Sequence, residues 1–301
     1  MAQAPTARLS VFDYRYHALS LAAVLFALAV GVLIGVAIGD SNLVSSAKNG
    51  IVHNLESEVG GAQRHAETLQ TQLSSEEAFS NDLYPLAVHG LLTGRNVGLV
   101  FLGGSSDRVN GLVRGAVTQA GGNLATVVAV REPLDLTGLA QAASGTIYAG
   151  LASNPELVHK FGGLAGRQLV SGGAQASREL LSRVRPSLLS AFDGQLGKLE
   201  GLVVMRAEPT GMSTEQTQAS AAFESGLIAG VTAVGVPVVG VELSNTEPSQ
   251  VSWYKSMGIS SVDDLDALAG QAALVYALTG SHGAYGVKSS ADSLLPAVAG
   301  G

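Results

Sequence analysis

The stretch Ala18 to Gly39 (ALSLAAVLFALAVGVLIGVAIG) carries no charged residue, and it constrains this chain more than any other feature. At about 1.5 Å of rise per residue a helix of this length covers roughly 30 Å, the thickness of a bilayer's hydrocarbon core, with its backbone polar groups satisfied internally. The stretch predicts a transmembrane helix, so the rest of the chain must be assigned a side.

Arg8 and Arg15 precede the span, whereas Asp40 follows it and the next basic residue is Lys48. The positive-inside rule therefore places residues 1–17 in the cytoplasm and the residues after Gly39 outside. Tyr14 and Tyr16 suit an interfacial belt, and the lead up to about Val11 reads as disordered. The competing reading is a cleaved secretory signal, with Ala37-Ile38-Gly39 as a small-x-small site. Signal h-regions run to about 7–15 residues, and this one is longer, which favours an uncleaved anchor. Within the span Gly31, Gly35 and Gly39 recur every fourth residue and share one helix face, the pattern of a helix dimer.

The 301 residues carry a net charge of −7, and the 17 basic residues are scattered, which excludes the electrostatic footprint of a nucleic-acid partner. Cysteine is absent, so disulfides and thiolate metal sites are excluded, and any exported part must stand by packing alone. Aromatics make up 5% of the chain and no series of alternating strands with aromatic girdles is present, which argues against a transmembrane β-barrel.

After the span an apolar seam repeats in heptads: Val52, Val59, Ala66 and Leu73 at one core position, Leu55, Ala62, Leu69 and Leu83 at the other. Glu76 and Ser80 fill two core slots. A seam sustained over about five heptads predicts a coiled-coil stalk over residues 43–84, and parallel self-pairing would cover it. The Gly60-Gly61 pair weakens the seam, and Tyr84-Pro85 is expected to end or bend the helix.

From Asn96 the pattern becomes short apolar runs alternating with helical segments, which predicts βαβ units and a parallel sheet. Strands are expected at Asn96 to Leu102, Leu124 to Val130, Thr146 to Leu151, Leu199 to Arg206, Val236 to Leu243 and Ile259 to Val262. Helices are expected from Asp107 to Ala120, Pro155 to Gly166, Ala174 to Arg185, Thr214 to Gly230, Pro248 to Met257 and Val262 to Leu278. The uncharged run Gly226 to Val241 is broken by Gly230, Gly235 and Pro237, so it reads as a helix end plus a buried strand rather than a second span. Residues 281–301 are Gly/Ser/Ala-rich and read as a flexible tail.

Sites of chemistry are scarce. The turn Gly103-Gly104-Ser105-Ser106-Asp107 follows the first strand where α/β folds cradle phosphate, but it lacks both nucleotide fingerprints and reads as a turn with a serine or aspartate N-cap. The six histidines, His17, His53, His65, His89, His159 and His282, form no paired motif, and the four methionines form no cluster of the thioethers that copper(I) prefers. Asp263, Asp264 and Asp266 read as a cap for the last helix that favours its dipole, in preference to a metal site. No nucleophile elbow or Ser/His/Asp set is legible, so the expectation is no enzyme and no bound cofactor.

The N-terminal residues Asp13 to Val24 (DYRYHALSLAAV), running into Gly31 to Gly35, resemble the opening of the copper transporter MctB family of actinobacterial envelope proteins. The end of the chain, Val262 to Leu278 followed by Gly283-Ala284-Tyr285-Gly286, is similar to that family's C-terminal pattern. The resemblance implies a role in copper efflux or homeostasis, copper being a transported ion, in a family described as pore-forming in an outer membrane. Some similar proteins are regarded as coiled-coil partners in cell-wall remodelling at division. The resulting expectation is an α/β protein. A cytoplasmic lead (1–17), an anchor (18–39) and a coiled-coil stalk (43–84) precede an exported, Rossmann-like parallel-sheet domain (95–280) and a tail (281–301). The expected partners are the membrane, a second copy of the chain in a homodimer, and another envelope protein.

Overall fold

The computed structural model describes residues 14–39, 41–207 and 210–297. The lead up to Val11, Asp40 and residues 298–301 lie outside the described residues. The chain divides into two compact units, Met1–Ser75 and Glu76–Gly301.

In the first unit, helix α1 (Tyr14–Gly39) covers the uncharged stretch. None of its residues is buried within the chain, and among the described residues it is the one helix long and apolar enough to cross a membrane. Helix α2 (Ser41–Val88) runs without a break through Gly60 and Gly61. The heptad residues Val52, Leu55, Val59, Ala62, Ala66, Leu69 and Leu73 are all exposed on it. Among the described residues, therefore, nothing covers this stripe.

In the second unit α2 continues past Pro85 to Val88, so Tyr84-Pro85 does not end it. Proline gives up one backbone hydrogen bond, but the last turn has other holds. Val88 is fully buried, and Tyr276 Oη donates to the Ala87 carbonyl at 3.0 Å. Leu83, the last seam residue, is exposed.

Seven strands then form one sheet: β1 (Asn96–Leu102), β2 (Asn123–Val130), β3 (Leu189–Gly194), β4 (Gly201–Arg206), β5 (Val238–Val241), β6 (Ser260–Val262) and β7 (Ala284–Tyr285). Their order is β3-β2-β1-β4-β5-β6-β7. The connecting helices are α3 (Asp107–Gln119), α4 (Leu136–Ala142), α5 (Pro155–Ser171), α6 (Gln175–Leu188), α7 (Thr214–Thr232), α8 (Val251–Ser256) and α9 (Leu268–Leu278). Alternate residues of β1 feed two cores, as the two-residue period of a strand requires. Val97, Leu99 and Phe101 pack with residues of α3 and α9, while Val100 and Leu102 pack with Phe161 of α5, Val184 of α6 and Phe223 of α7. Helices thus cover both faces of a sheet whose central strands are largely apolar.

The sheet is mixed rather than parallel, because β3 runs antiparallel to β2 at the edge. This strand escapes a search for apolar runs: its sequence LSAFDG is mostly exposed. The expected strand at Thr146 to Leu151 is instead a 3-10 turn, Ile147–Gly150, opened by Thr146, whose hydroxyl accepts from the Tyr148 N–H at 3.1 Å. Ile147 is exposed, so the run lacks the burial that would favour a central strand. The Gly226 to Val241 run resolves into the end of α7 and β5, and α7 opens on a capping box between Ser213 and Gln216.

The tail is also ordered through residue 297 rather than loose. β7 pairs with β6, the Asp263 carboxylate accepts from the Val287 N–H at 2.8 Å, and Lys255 Nζ meets Asp292 at 2.8 Å. Glycine and serine content alone suggested a flexible tail, and specific polar contacts override it.

α5 and α7 cross at backbone contact. A Cβ on Gly166 would stand 2.2 Å from the Leu227 carbonyl oxygen, and one on Gly226 would stand 2.1 Å from the His159 carbonyl oxygen. Only glycine fits at either position.

Candidate functional site

In this strand order the chain leaves β1 toward one edge of the sheet and later returns to β4 to build the other. The loops after β1 and β4 therefore diverge, and a crevice outside the carboxyl ends of those strands is where open α/β sheets gather their functional groups. Here that end of the sheet holds a chain of buried charges, positioned by residues that terminate apolar strands.

Arg206, the last residue of β4, is its centre. Its Nε donates to Glu224 Oε2 on α7 at 3.1 Å, its Nη1 donates to Gln250 Oε1 at 2.6 Å, and its guanidinium lies 4.9 Å from the ring centroid of Trp253. Glu224 is 1% exposed, so its charge depends on this partner. The fully buried Tyr254 hydroxyl accepts from the Arg206 backbone N–H at 3.0 Å and donates to the Val241 carbonyl at 3.1 Å. Burial pushes its ionisation up, so it stays a donor.

Glu132, just after β2, completes the group. Burial, a hydrogen bond to Glu224 and repulsion from its charge push the Glu132 carboxyl up to about 8, against the pull of Arg206. Among the described residues Glu224 Oε1 takes no N–H or hydroxyl donor. Glu132 is therefore protonated at neutral pH and supplies the proton between the two carboxyls. Gly103 leaves room for it: φ there is 101°, and a Cβ would stand 3.1 Å from Glu132 Oε2.

Gln250 carries the network onward. Its backbone N–H donates to Glu242, a fully buried carboxylate that also accepts from Ser249 Oγ at 2.7 Å and Lys288 Nζ at 2.6 Å. Lys288 is turned inward by Asp263, which accepts from its backbone N–H at 3.2 Å. Asp264 is 1% exposed with no hydrogen-bond partner on either oxygen among the described residues, and burial together with repulsion from Asp263 and Asp266 pushes it up to about 6. The three aspartates do not cap the last helix, which starts at Leu268 after Ala267 with no side-chain cap. Asp263 serves the tail, and Asp266 accepts from Ser244 N–H and Oγ, at 2.8 and 2.9 Å, and from Arg108.

The arrangement holds a proton on a carboxyl pair and pins β4, α7, α8 and the tail to one another. The turn at Gly103 behaves as expected, with Ser106 capping α3 by accepting from the Val109 N–H at 3.3 Å. Gly31, Gly35 and Gly39, with the seam from Val52 to Leu73, belong to the first unit and take no part in this cluster. Among the described residues no group of three or more His, Cys, Asp or Glu side chains could hold a metal ion. Met205 and Met257 are half-buried against the two cores, and His159 Nδ1 pairs with Ser225 Oγ at 3.1 Å.

Motif spacing missed the cluster because its members are far apart in sequence. The legible signal was weaker: Arg206 and Glu242 are single charges ending apolar strands, and Glu224 is a lone charge in the apolar middle of α7.

A helix long and apolar enough to cross a membrane, followed by an α/β domain with a mixed seven-stranded sheet, defines a candidate membrane protein carrying a folded domain. Residues 11–296 match the family model described as "Copper transport outer membrane protein, MctB", and the chain belongs to that family. Two relatives called "Copper transporter MctB", from Mycobacterium bovis (strain ATCC BAA-935 / AF2122/97) and Mycobacterium tuberculosis (strain ATCC 25618 / H37Rv), are each 25% identical to it. Each alignment covers 94% of this chain and 99% of the relative.

Proposed function

We propose that this chain serves copper efflux or homeostasis as a membrane-anchored, self-pairing envelope protein. The family match over residues 11–296 carries the reading. Copper is its transported ion rather than a resident cofactor. α1 is the anchor, with the N-terminus in the cytoplasm by the charge asymmetry of Arg8 and Arg15, and the α/β domain is exported. Pairing runs through Gly31, Gly35 and Gly39 and continues along the seam from Val52 to Leu83 as a parallel coiled coil. The exposure of that seam in a single chain supports the pairing. One anchor helix per chain makes a tether, so a conducting path requires several copies.

Deleting the gene is expected to raise intracellular copper and to lower copper tolerance severalfold, with both restored by the intact chain. Unchanged copper content and tolerance would refute the copper role. The exposed seam favours a second reading, a non-enzymatic scaffold that binds another envelope protein in cell-wall remodelling at division. In that case deletion leaves copper unchanged, and the purified chain co-purifies with an envelope partner through α2.

A further inference from the structure

The domain holds an apolar cavity of about 220 Å³ between α5, α6 and the β2–β3 edge of the sheet. Its walls include Val128, Val130, Leu169, Phe192, Phe223 and Leu227. An apolar cavity of roughly 150 Å³ already takes a benzene ring, so this one has room for a hydrocarbon segment. The sequence explains why it is open: α6 buries Leu180, Val184 and Leu188, but Leu181 stays half-buried and Leu196, on the loop after β3, is 47% exposed.

The polar groups around the opening share one sign. Arg178 and Arg185 line it, no carboxylate does, and neither arginine has an ion-pair partner among the described residues. The Arg185 guanidinium stacks 5.1 Å above the Phe192 ring, so one wall residue is apolar toward the cavity and cationic at its outer edge. Adjoining it is a polar space of about 360 Å³ that shares Gln168, Arg178 and Leu196 with the cavity and is floored by Gly172 and Gly173. The buried Gln168 fixes that floor by donating from Nε2 to the Gly172 carbonyl at 3.0 Å. The two spaces together fall in the usual range for small-ligand sites, roughly 300–1,000 Å³.

We propose that this paired space binds a single-chain anionic amphiphile, with its hydrocarbon chain between α5, α6 and the sheet and its carboxylate or phosphate head at Arg178 and Arg185. Apolar burial supplies affinity, and the two unpaired guanidinium groups select the head charge. The site is separate from the carboxyl cluster around Arg206 and does not depend on the copper reading.

The test uses the full chain in phosphatidylcholine nanodiscs, labelled with a diazirine-bearing decanoate and mapped by peptide mass spectrometry. Label is expected on peptides of α5, α6 and β3. Excess decanoate removes it, whereas decyltrimethylammonium, with the same chain and opposite charge, leaves it in place. The double variant Arg178→Glu/Arg185→Glu, altering exposed side chains only, is expected to cut labelling about tenfold at an unchanged circular dichroism spectrum. Leu181→Trp, filling the opening, is expected to abolish it. Competition by lysophosphatidylglycerol as well as decanoate identifies a lipid headgroup as an accepted source, and competition by decanoate alone identifies a free carboxylate; both support the site. Label confined to residues 14–39, equal competition by the cationic probe, or labelling unchanged in the folded double variant overturns the proposal.

Discussion

Two sets of glycines in this chain have the same spacing and opposite surroundings. Gly31, Gly35 and Gly39 on α1 repeat every fourth residue, and a Cβ at any of them would meet nothing within 4 Å. Gly162 and Gly166 on α5, and Gly226 and Gly230 on α7, repeat in the same way, and a Cβ at each would fall 2.1 to 2.3 Å from a carbonyl oxygen of the opposing helix. The pattern predicts a helix that admits close approach. Whether the approaching helix lies in the same chain depends on what connects the two. Between α5 and α7 the chain builds α6, β3 and β4 and brings α7 back to the same face of the sheet. Among the described residues there is no second apolar helix of α1's length, and α9, the other strongly apolar helix, is short and already buried in the core.

The packed side of this comparison should break most severely, and α7 has two holds to test. Arg206→Met leaves Glu224 as a buried charge facing a proton-sharing neighbour. Removing one partner of such a pair costs about 3–5 kcal/mol, which is read from urea unfolding of the chain in nanodiscs by circular dichroism. A loss under about 1 kcal/mol would show that Glu224 is not held by Arg206. Gly166→Ala puts a methyl against the Leu227 backbone, which cannot rotate away as a side chain would, and about 2–3 kcal/mol of destabilisation is expected. Fluorescence of Trp253, the single tryptophan, reports that transition without a label.

A smaller effect follows from pH. In the folded state Glu132 holds its proton up to about 8 against an ordinary value of 4.5, so the folded state binds protons more tightly between those limits. Stability from this group is fully present below about 4.5 and is lost as pH rises toward 8. Asp264, raised from 3.8 to about 6, adds a loss of the same sign over the lower part of that window. The urea midpoint should fall as pH rises from 5 to 8, with Glu132→Gln flattening the upper part of the curve and Asp264→Asn the lower. A midpoint that rises across that range would contradict the shared proton.

How much of this was legible in the sequence depended on whether the signal was local. The stretch from Ala18 to Gly39 and the strand from Asn96 to Leu102 carry their meaning in consecutive residues, and both elements form as expected. β3 carries only half-buried and exposed residues, and its place is set by pairing with β2 across a long loop excursion, which no window can report. Glu132, Arg206, Glu242 and Lys288 close or follow four separate strands at the carboxyl end of the sheet, and Glu224 reaches them from the middle of α7. A charged residue closing an apolar strand is the local trace of that geometry, and it marks an end of the sheet without naming partners. The tail shows the reverse error: its composition argues for disorder, while Asp263 and Asp292 tie it down through individual hydrogen bonds.

The smallest expected effect decides what the unpacked glycines are for. Gly35→Ile adds a side chain where the chain itself offers no obstacle, so the urea midpoint of the α/β domain should not move. Self-association in a bilayer, followed by single-molecule photobleaching, should weaken by roughly 1 kcal/mol if a second α1 approaches that face. Leu69→Asp, on the exposed seam of α2, separates the two contributions because it would disrupt any coiled-coil pairing there and leaves the glycine face intact. Loss of dimer in both variants assigns pairing to anchor and stalk together. Loss in Leu69→Asp alone assigns it to the stalk, and Gly31, Gly35 and Gly39 then differ from Gly166 and Gly226 in having no partner helix at all.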